Sequence, residues 1–185
     1  MAPIYVRNVT TSNKHIEIAA LDFGCSVTTI NEFDELPLKG PAILYIVAHA
    51  VPDGLRIGTS GIMTEAALAK ALEYRKDQPT LVIFDACFAK SFSDIPNSPW
   101  PSTFGLIFSC LEYERTWSSG GENAPRVSLF SEVLNKAMKD CIGCGSFEGL
   151  QAALVLALGG IQNPFVQASD ELLREIVGVK GIKAA

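Results

Sequence analysis

Two side chains of this sequence, His49 and Cys87, are suited to nucleophilic catalysis. The apolar run AILYIVA precedes His49, and TLVIFDA precedes Cys87. The reactive form of cysteine is the thiolate, and a neighbouring imidazole can accept the thiol proton. A cysteine and a histidine held side by side would therefore carry out thiolate attack on a carbonyl carbon. The alternative interpretation is structural, since a cysteine at the end of a buried strand commonly belongs to the core.

The segment between these two residues predicts how they meet. The apolar runs Ala42–His49 and Thr80–Phe84 are typical of buried strands, and TEAALAKALEY between them has helical spacing with Thr64 as N-cap. A strand, a helix and a second strand form a parallel pair with a right-handed crossover. Ligands bind beyond the carboxyl ends of such strands. We therefore expect His49 and Cys87 on one rim of the sheet, one or two strand spacings of about 4.8 Å apart.

Other patterns extend this unit toward both ends of the chain. The segment His15–Leu21 is compatible with a strand or a helix, and prolines and a glycine mark Asn31–Pro41 as a loop. The remaining predicted elements are a strand at Ile4–Val9, a small hairpin around Leu55–Ile57, a helix from Thr64 to about Tyr74 that buries Ala67, Leu68, Ala71 and Leu72, a strand at Phe104–Ser109, a helix from Ser128 to about Lys139, a helix from Ser146 through Leu158, and an amphipathic helix at Ser169–Val177.

The composition is typical of one folded α/β domain and argues against nucleic-acid binding. Of the 185 residues, 48% are hydrophobic, which is enough for a sizeable core. The formal net charge is −5, and the sequence lacks the basic stripe that phosphate binding requires. Alternating strands and helices predict a mostly parallel central sheet flanked by helices.

The cysteines and the hydrophobic runs favour a cytoplasmic protein without membrane association. The five cysteines are odd in number, which favours free thiols in a reducing compartment. Residues 1–9 lack the basic start and apolar run of a signal peptide, and Leu150–Ile161 is too short to span a bilayer. Cys141 and Cys144 have metal-ligand or redox spacing, but no second pair completes a zinc site, so we expect no metal.

Several short motifs together resemble the caspase-like cysteine peptidases, the clan of the metacaspases, the clostripain group and the separase-like CHAT peptidases. The likeness spans Ala42 to Val166, and the spacing from His49 to Cys87 is shorter than the roughly 50 residues typical of caspases. The motifs that carry it are His49 followed by a small residue, Asp85-Ala86-Cys87, Phe108-Ser109-Cys110 with Glu112 and Glu114, Ser128-Leu129-Phe130 at a helix start, and Gln162-Asn163-Pro164.

The resemblance implies a fold and a set of catalytic roles. The fold would be a three-layer sandwich formed by one peptidase domain over residues 1–185, with a divergent part at 1–41, a core at 42–166 and a C-terminal helix at 167–185. His49 would be the general base and Cys87 the nucleophile. The backbone N–H groups of Cys87 and Ala50 would form the oxyanion hole. The family usually has glycine in place of Ala50, and it often has Ser-Gly where this chain continues with Phe88-Ala89-Lys90.

The resemblance also predicts cleavage after a basic residue. Asp85 lies two residues before Cys87 and should point to the same side of the strand. Metacaspases and clostripain-like enzymes share an acidic residue there and favour arginine or lysine at P1, the substrate residue before the cleaved bond. Glu112 and Glu114 would add negative charge for substrate binding. The alternatives are that Asp85 is a buried cap of the following loop and that both glutamates are solvated loop residues.

The expected partner is therefore a protein or peptide substrate, with no cofactor. A regulatory calcium site and an activating protein partner are left open, and the loop Ser91–Ser102 suits a substrate-shaping or cleavable segment. The main rival is an inactive scaffold or binding module of the same fold in a signalling or defence complex, for which Ala50 is the best argument. A cysteine phosphatase is excluded because its required arginine would fall at Ser93.

Overall fold

The computed structural model describes residues 1–9, 16–17, 25–51, 53–57, 61–87, 89, 99–111, 113–119, 126–141 and 146–177. Its strands are β1 (Ile4–Asn8), β2 (Ile16–Glu17), β3 (Val27–Thr29), β4 (Ala42–Val51), β5 (Gly54–Ile57), β6 (Gly61–Met63), β7 (Thr80–Ala86), β8 (Phe104–Phe108), β9 (Ser118–Ser119), β10 (Arg126–Ser128) and β11 (Phe165–Gln167). Its helices are α1 (Glu65–Ala71), α2 (Leu129–Cys141), α3 (Phe147–Leu158) and α4 (Asp170–Val177), and short 3₁₀ turns lie at Phe33–Glu35 and Glu73–Arg75.

The main sheet is mostly parallel. Its strand order is β11-β8-β7-β4-β1-β3, in which β8, β7, β4, β1 and β3 run parallel and β11 is antiparallel to β8. The end of β4 forms a hairpin with β5, which also pairs with β6, and β2, β10 and β9 make a second small sheet. The prediction of an α/β fold with a mostly parallel sheet is confirmed.

Apolar cores cover both faces of this sheet, as expected for strands that are apolar on both sides. On one face, helices α2, α3 and α4 contribute Phe130, Leu154 and Leu173, among others. On the other face, α1 and β5 contribute Leu68 and Leu55. The sheet therefore lies between two apolar layers, and in the described part of the chain the ends of its strands extend beyond them.

Local capping signals in the sequence identified the helix starts. The hydroxyl oxygens of Thr64, Ser128 and Ser146 accept backbone N–H groups at the starts of α1, α2 and α3, with N···O distances of 3.2, 3.2 and 3.0 Å. The predicted inner face of the first helix is partly wrong. Leu68 and Leu72 are buried, whereas Ala67 and Ala71 are exposed, and Ala69 rather than either of them joins the buried face.

The sequence did not predict the two edge strands of the main sheet. Within the described ranges, β3 is fully exposed and has β1 as its one partner strand, and β11 has β8. The Gln151 side chain of α3 binds β11, since its amide nitrogen donates to the Pro164 carbonyl at 2.8 Å and its oxygen accepts the Val166 N–H at 2.6 Å. A short edge strand that a side chain holds in this way shows little hydrophobic periodicity in the sequence.

A buried arginine fastens the opposite end of the sheet. Arg75 is fully buried, and burial lowers its pKa. Its guanidinium donates to the Thr80 hydroxyl at 3.1 Å, to the Gly40 carbonyl at 2.8 Å and to the Pro37 carbonyl. These bonds join the start of β7 to the loop before β4, and they satisfy a charge that would otherwise be costly to bury.

We expect Arg75→Ala to lower the free energy of unfolding by about 3 kcal/mol or more, because the substitution opens a cavity and leaves three acceptors without their donor. Urea unfolding measures this loss. Lys76→Ala, at the exposed neighbouring residue, is the control and should stay within about 0.5 kcal/mol of the original chain. Equal losses for the two variants would show that the bonds of Arg75 do not stabilise the fold.

Candidate functional site

His49 and Cys87 lie at the same end of two adjacent parallel strands. The register of β4 and β7 pairs Val47 with Asp85 and ends at Ala48 with Ala86, so His49 and Cys87 are the residues that directly follow this last pair. Both side chains are partly exposed. Side chains alternate along strands, so His49 extends from the same face of β4 as Tyr45 and Val47, the face that α2, α3 and α4 cover. The sequence prediction of a shared rim therefore agrees with the register.

Ala50 lies inside β4, directly after His49. It is buried, and it faces Leu55 of the β4–β5 hairpin. A strand residue has an extended backbone with negative φ, so this position does not require the conformations that only glycine adopts cheaply. Alanine is thus compatible with the backbone of this site. The hairpin also brings the exposed Arg56 opposite His49.

The thiol of Cys87 has a hydroxyl neighbour that the sequence did not reveal. Its Sγ lies 3.7 Å from the Thr116 Oγ1, a distance at which either atom can donate to the other. Thr116 lies between β8 and β9 and is partly exposed. A hydroxyl in this position can donate to a thiolate and orient it. No periodicity or spacing in the sequence relates Thr116 to Cys87, so only the folded chain identifies this contact.

Asp85 is a buried carboxylate near the end of β7, two residues before Cys87. It is 4% exposed, and its Oδ2 accepts the Tyr45 hydroxyl at 2.9 Å. Burial raises the pKa of Asp85 to about 6, although hydrogen bonds from the hydroxyls of Ser128 and Tyr45 counteract this rise. Among the described residues, no cation pairs with this carboxylate. A desolvated carboxyl with a strongly perturbed pKa beside a candidate nucleophile is typical of functional sites.

Ser128 connects this carboxylate to the start of α2. Its oxygen accepts the Ser131 N–H at 3.2 Å, and the Ser131 hydroxyl donates to the Ser128 carbonyl at 2.8 Å. The same Ser128 side chain hydrogen-bonds Asp85. The N-terminus of a helix carries a partial positive charge, which favours a nearby anion. The helix start predicted at Ser128 is therefore also part of the site.

Ser109 and Cys110 hold the turn that carries Cys87. The Ser109 hydroxyl accepts the Ala86 N–H at 3.2 Å and donates to the Ala86 carbonyl at 3.1 Å. The Cys110 thiol also donates to that carbonyl, at 3.3 Å, and its sulfur accepts the Ala89 N–H. Burial raises the pKa of Cys110 to about 11, so this second thiol is far less reactive than an exposed one.

Glu114 fastens the loop of Gln162 and Asn163. Its carboxylate accepts backbone N–H groups of Leu111 at 3.1 Å and Asn163 at 2.9 Å, and it also accepts the Asn163 side-chain amide. Partial burial raises the pKa of Glu114, but these hydrogen bonds outweigh it and the pKa lies below the usual value. Since its oxygens are engaged in this way, we assign Glu114 to loop positioning rather than to the predicted substrate contact.

Gln162 completes the same network. It is buried, its amide nitrogen donates to the Ser109 carbonyl at 2.8 Å, and its oxygen accepts the Trp117 N–H at 3.2 Å. Gln162 is about fifty residues from Ser109 in the sequence, and the two segments meet at the residue before Cys87, since Ser109 binds Ala86. Glu112, the remaining predicted substrate contact, lies outside the described residues, as does most of the loop 91–102.

Other predicted features lie away from this centre or outside the described chain. Trp100 anchors the end of the 91–102 loop, since its indole N–H donates to Glu65 at 2.7 Å and its ring packs against Phe84 and Phe104. In the described ranges no three side chains of His, Cys, Asp and Glu form a group able to hold a metal ion. None of the helices α1 to α4 is long and apolar enough to cross a membrane.

The raised pKa of Asp85 predicts how its substitution changes stability with pH. Between about pH 4 and pH 6 the folded chain keeps a proton on Asp85 that the unfolded chain has released, so the stability contributed by this group falls as pH rises through that window. Asp85→Asn should therefore become more stable relative to the original chain, by up to roughly 3 kcal/mol at pH 7 compared with pH 4.

Urea unfolding of both chains at several pH values measures this difference. Glu132→Gln, at an exposed residue in the first turn of α2, is the control and should show a nearly constant difference. A constant difference for Asp85→Asn as well, or one that changes in the opposite direction, would contradict the raised pKa.

Comparison with known proteins identifies no family for this chain. The chain matches no protein-family model, and no curated protein is significantly similar to it in sequence. The function of this site therefore depends on its own residues: a histidine and a cysteine at the same end of two adjacent strands, and a buried carboxylate two residues before the cysteine.

Proposed function

We propose that the chain is a caspase-like cysteine endopeptidase that cleaves protein or peptide substrates after a basic residue. The observation that carries the proposal is the register of β4 and β7, in which His49 and Cys87 follow the last pair, Ala48 and Ala86. Imidazole and thiol at neighbouring strand ends are the groups that acyl transfer through a thioester needs. The α/β architecture with helices on both faces of the sheet is compatible with this class of enzyme.

The proposed reaction has two steps. His49 takes the proton of the Cys87 thiol, and the thiolate attacks the carbonyl carbon of the peptide bond. Backbone N–H groups of Cys87 and Ala50 stabilise the oxyanion, the bond to nitrogen breaks, and His49 returns the proton to the leaving amine. Water, deprotonated by His49, then attacks the resulting thioester and releases the carboxylic acid and the free thiol.

The buried Asp85 supports a basic residue at P1. It lies in β7 two residues before Cys87, and its carboxylate has hydrogen-bond donors but no cation among the described residues. A carboxylate accepts about four hydrogen bonds, so positions remain for a substrate guanidinium. Pairing with an arginine or lysine of the substrate would supply the positive charge that the desolvated Asp85 carboxylate lacks.

We expect an arginyl peptide ketone with a reactive leaving group to alkylate Cys87 and to require His49 for doing so. Intact mass and peptide mapping measure the labelling of the original chain, Cys87→Ala and His49→Ala. Cys25→Ala is the matched control, because Cys25 is another partly exposed free cysteine and its removal should leave the labelling unchanged. Cys110 should stay unlabelled, since it is buried and its pKa is about 11.

Turnover of fluorogenic peptides that vary at P1 extends this test. Arginine and lysine substrates should be preferred, and His49→Ala should lower kcat/KM by about 10³-fold because proton transfer is lost. Cleavage by Cys87→Ala would show that the nucleophile is another residue. Failure of the original chain to be labelled or to cleave any peptide would instead favour the inactive scaffold of the same fold.

A further inference from the structure

We infer that Tyr45 is a specificity-determining residue that positions Asp85 for recognition of the P1 cation. The inference rests on the proposed function, since it concerns the same site. Tyr45 does not touch the reacting atoms, so it would act through Asp85. Nothing in the spacing of the sequence relates these two residues, which lie on different strands.

The geometry of β4 explains the contact. Tyr45, Val47 and His49 extend from one face of the strand, and Val47 is the partner of Asp85 in the register. Tyr45 therefore starts two residues below Asp85, and its ring spans that distance so that the hydroxyl donates to Oδ2 at 2.9 Å. The tyrosine is fully buried within the core on this face, so its ring cannot leave this position without disturbing the packing.

The hydroxyl of Tyr45 supplies what a buried carboxylate needs in order to stay charged. Burial and the neighbouring charge of Asp85 raise the pKa of Tyr45 well above 10, so the phenol remains a donor at physiological pH. Ser128 is the second donor to Asp85. The other titratable groups on the surrounding elements include His49 and Cys87 at the strand ends, Tyr5 and Arg7 on β1, and the exposed Glu132, Lys136 and Lys139 of α2. The two neutral hydroxyls of Tyr45 and Ser128 thus stabilise the Asp85 carboxylate where a cation commonly would.

Loss of the Tyr45 hydroxyl should therefore weaken recognition of a positive charge specifically. With one donor fewer, the ionised form of Asp85 is less favoured, its pKa rises above about 6, and its oxygens are less well oriented toward a guanidinium. A hydrogen bond to a charged group contributes enough that its removal changes affinity by about tenfold. An uncharged substrate side chain of the same shape should lose little.

The experiment compares acetylated tetrapeptide amides that end in arginine or in citrulline, the uncharged isostere of arginine. Binding is measured by calorimetry at pH 7.5 in a Cys87→Ala background, so that no peptide is cleaved. We expect arginine to bind at least tenfold more tightly than citrulline, and Tyr45→Phe to lower that ratio by about tenfold. The carboxyl carbon of Asp85, followed by NMR over pH 4 to 9, should titrate at higher pH in Tyr45→Phe.

Tyr74→Phe is the matched control, because the Tyr74 hydroxyl donates to the Phe33 carbonyl at 2.7 Å, far along the chain from the site. It should leave both the binding ratio and the titration of Asp85 unchanged. If Tyr45→Phe is poorly folded, the pH dependence of binding to the chain with Tyr45 tests the inference instead. The ratio of its affinities for the arginine and citrulline peptides should fall as pH drops below about 6, where Asp85 gains its proton.

An unchanged ratio in Tyr45→Phe, an equal effect of Tyr74→Phe, or a ratio near one in the original chain would overturn the inference. Failure of the proposed function has a different signature. In that case the original chain would bind the arginine peptide with the expected ratio but would neither cleave it nor react with the arginyl ketone.

Discussion

The in-register parallel pairing of β4 and β7 is the constraint on which the rest of the site depends. It sets Val47 beside Asp85 and Ala48 beside Ala86, so His49 and Cys87 follow this last pair at the same end of the two strands. Because side chains alternate along a strand, a slip by one residue would turn His49 toward the opposite face of the sheet. Such a slip would also move the apolar side chains of β4 between the two cores, so packing on both faces maintains the register. The geometry of the rim thus follows from the burial of residues that take no part in chemistry.

Above this rim, the loops are organised by buried polar groups that satisfy one another. Ser109 and Cys110 bind the backbone of the turn after β7, and Gln162 joins them to the loop that enters β9. Each of these contacts is made by groups for which burial without a partner would be costly. Asp85 differs from this group, because two hydroxyl donors leave its charge only partly compensated. The structure therefore places an incompletely compensated carboxyl group two residues before the candidate nucleophile.

Local patterns in the sequence predicted the parts of the fold that depend on local chemistry. Apolar runs identified β4, β7 and β8, and hydroxyl residues identified the starts of α1, α2 and α3. The shared rim of His49 and Cys87 was predictable because a strand–helix–strand unit brings its carboxyl ends together. The single-domain division of residues 1–185 stays a prediction.

Contacts between distant segments were not predictable in the same way. Thr116 beside Cys87, Tyr45 below Asp85 and the three acceptors of Arg75 depend on how loops and strands meet in space. The sequence indicated that Glu114 lies near the site, but it did not indicate that its carboxylate binds the backbone of Asn163. A glutamate that binds a loop and a glutamate that binds a substrate look alike in a sequence. Strands β3 and β11 were missed because short edge strands carry little periodicity.

The two edge strands of the main sheet differ in how far their outer backbone groups are occupied, because Gln151 binds β11. At β11 its amide occupies the Val166 N–H and the Pro164 carbonyl, which a further strand would need. At β3, among the residues that the structure describes, no side chain holds the outer backbone groups, and Val27 is 45% exposed. Unwanted sheet growth between copies of the chain, the first step of many aggregation processes, would therefore begin at β3 rather than beside the proposed catalytic half of the molecule.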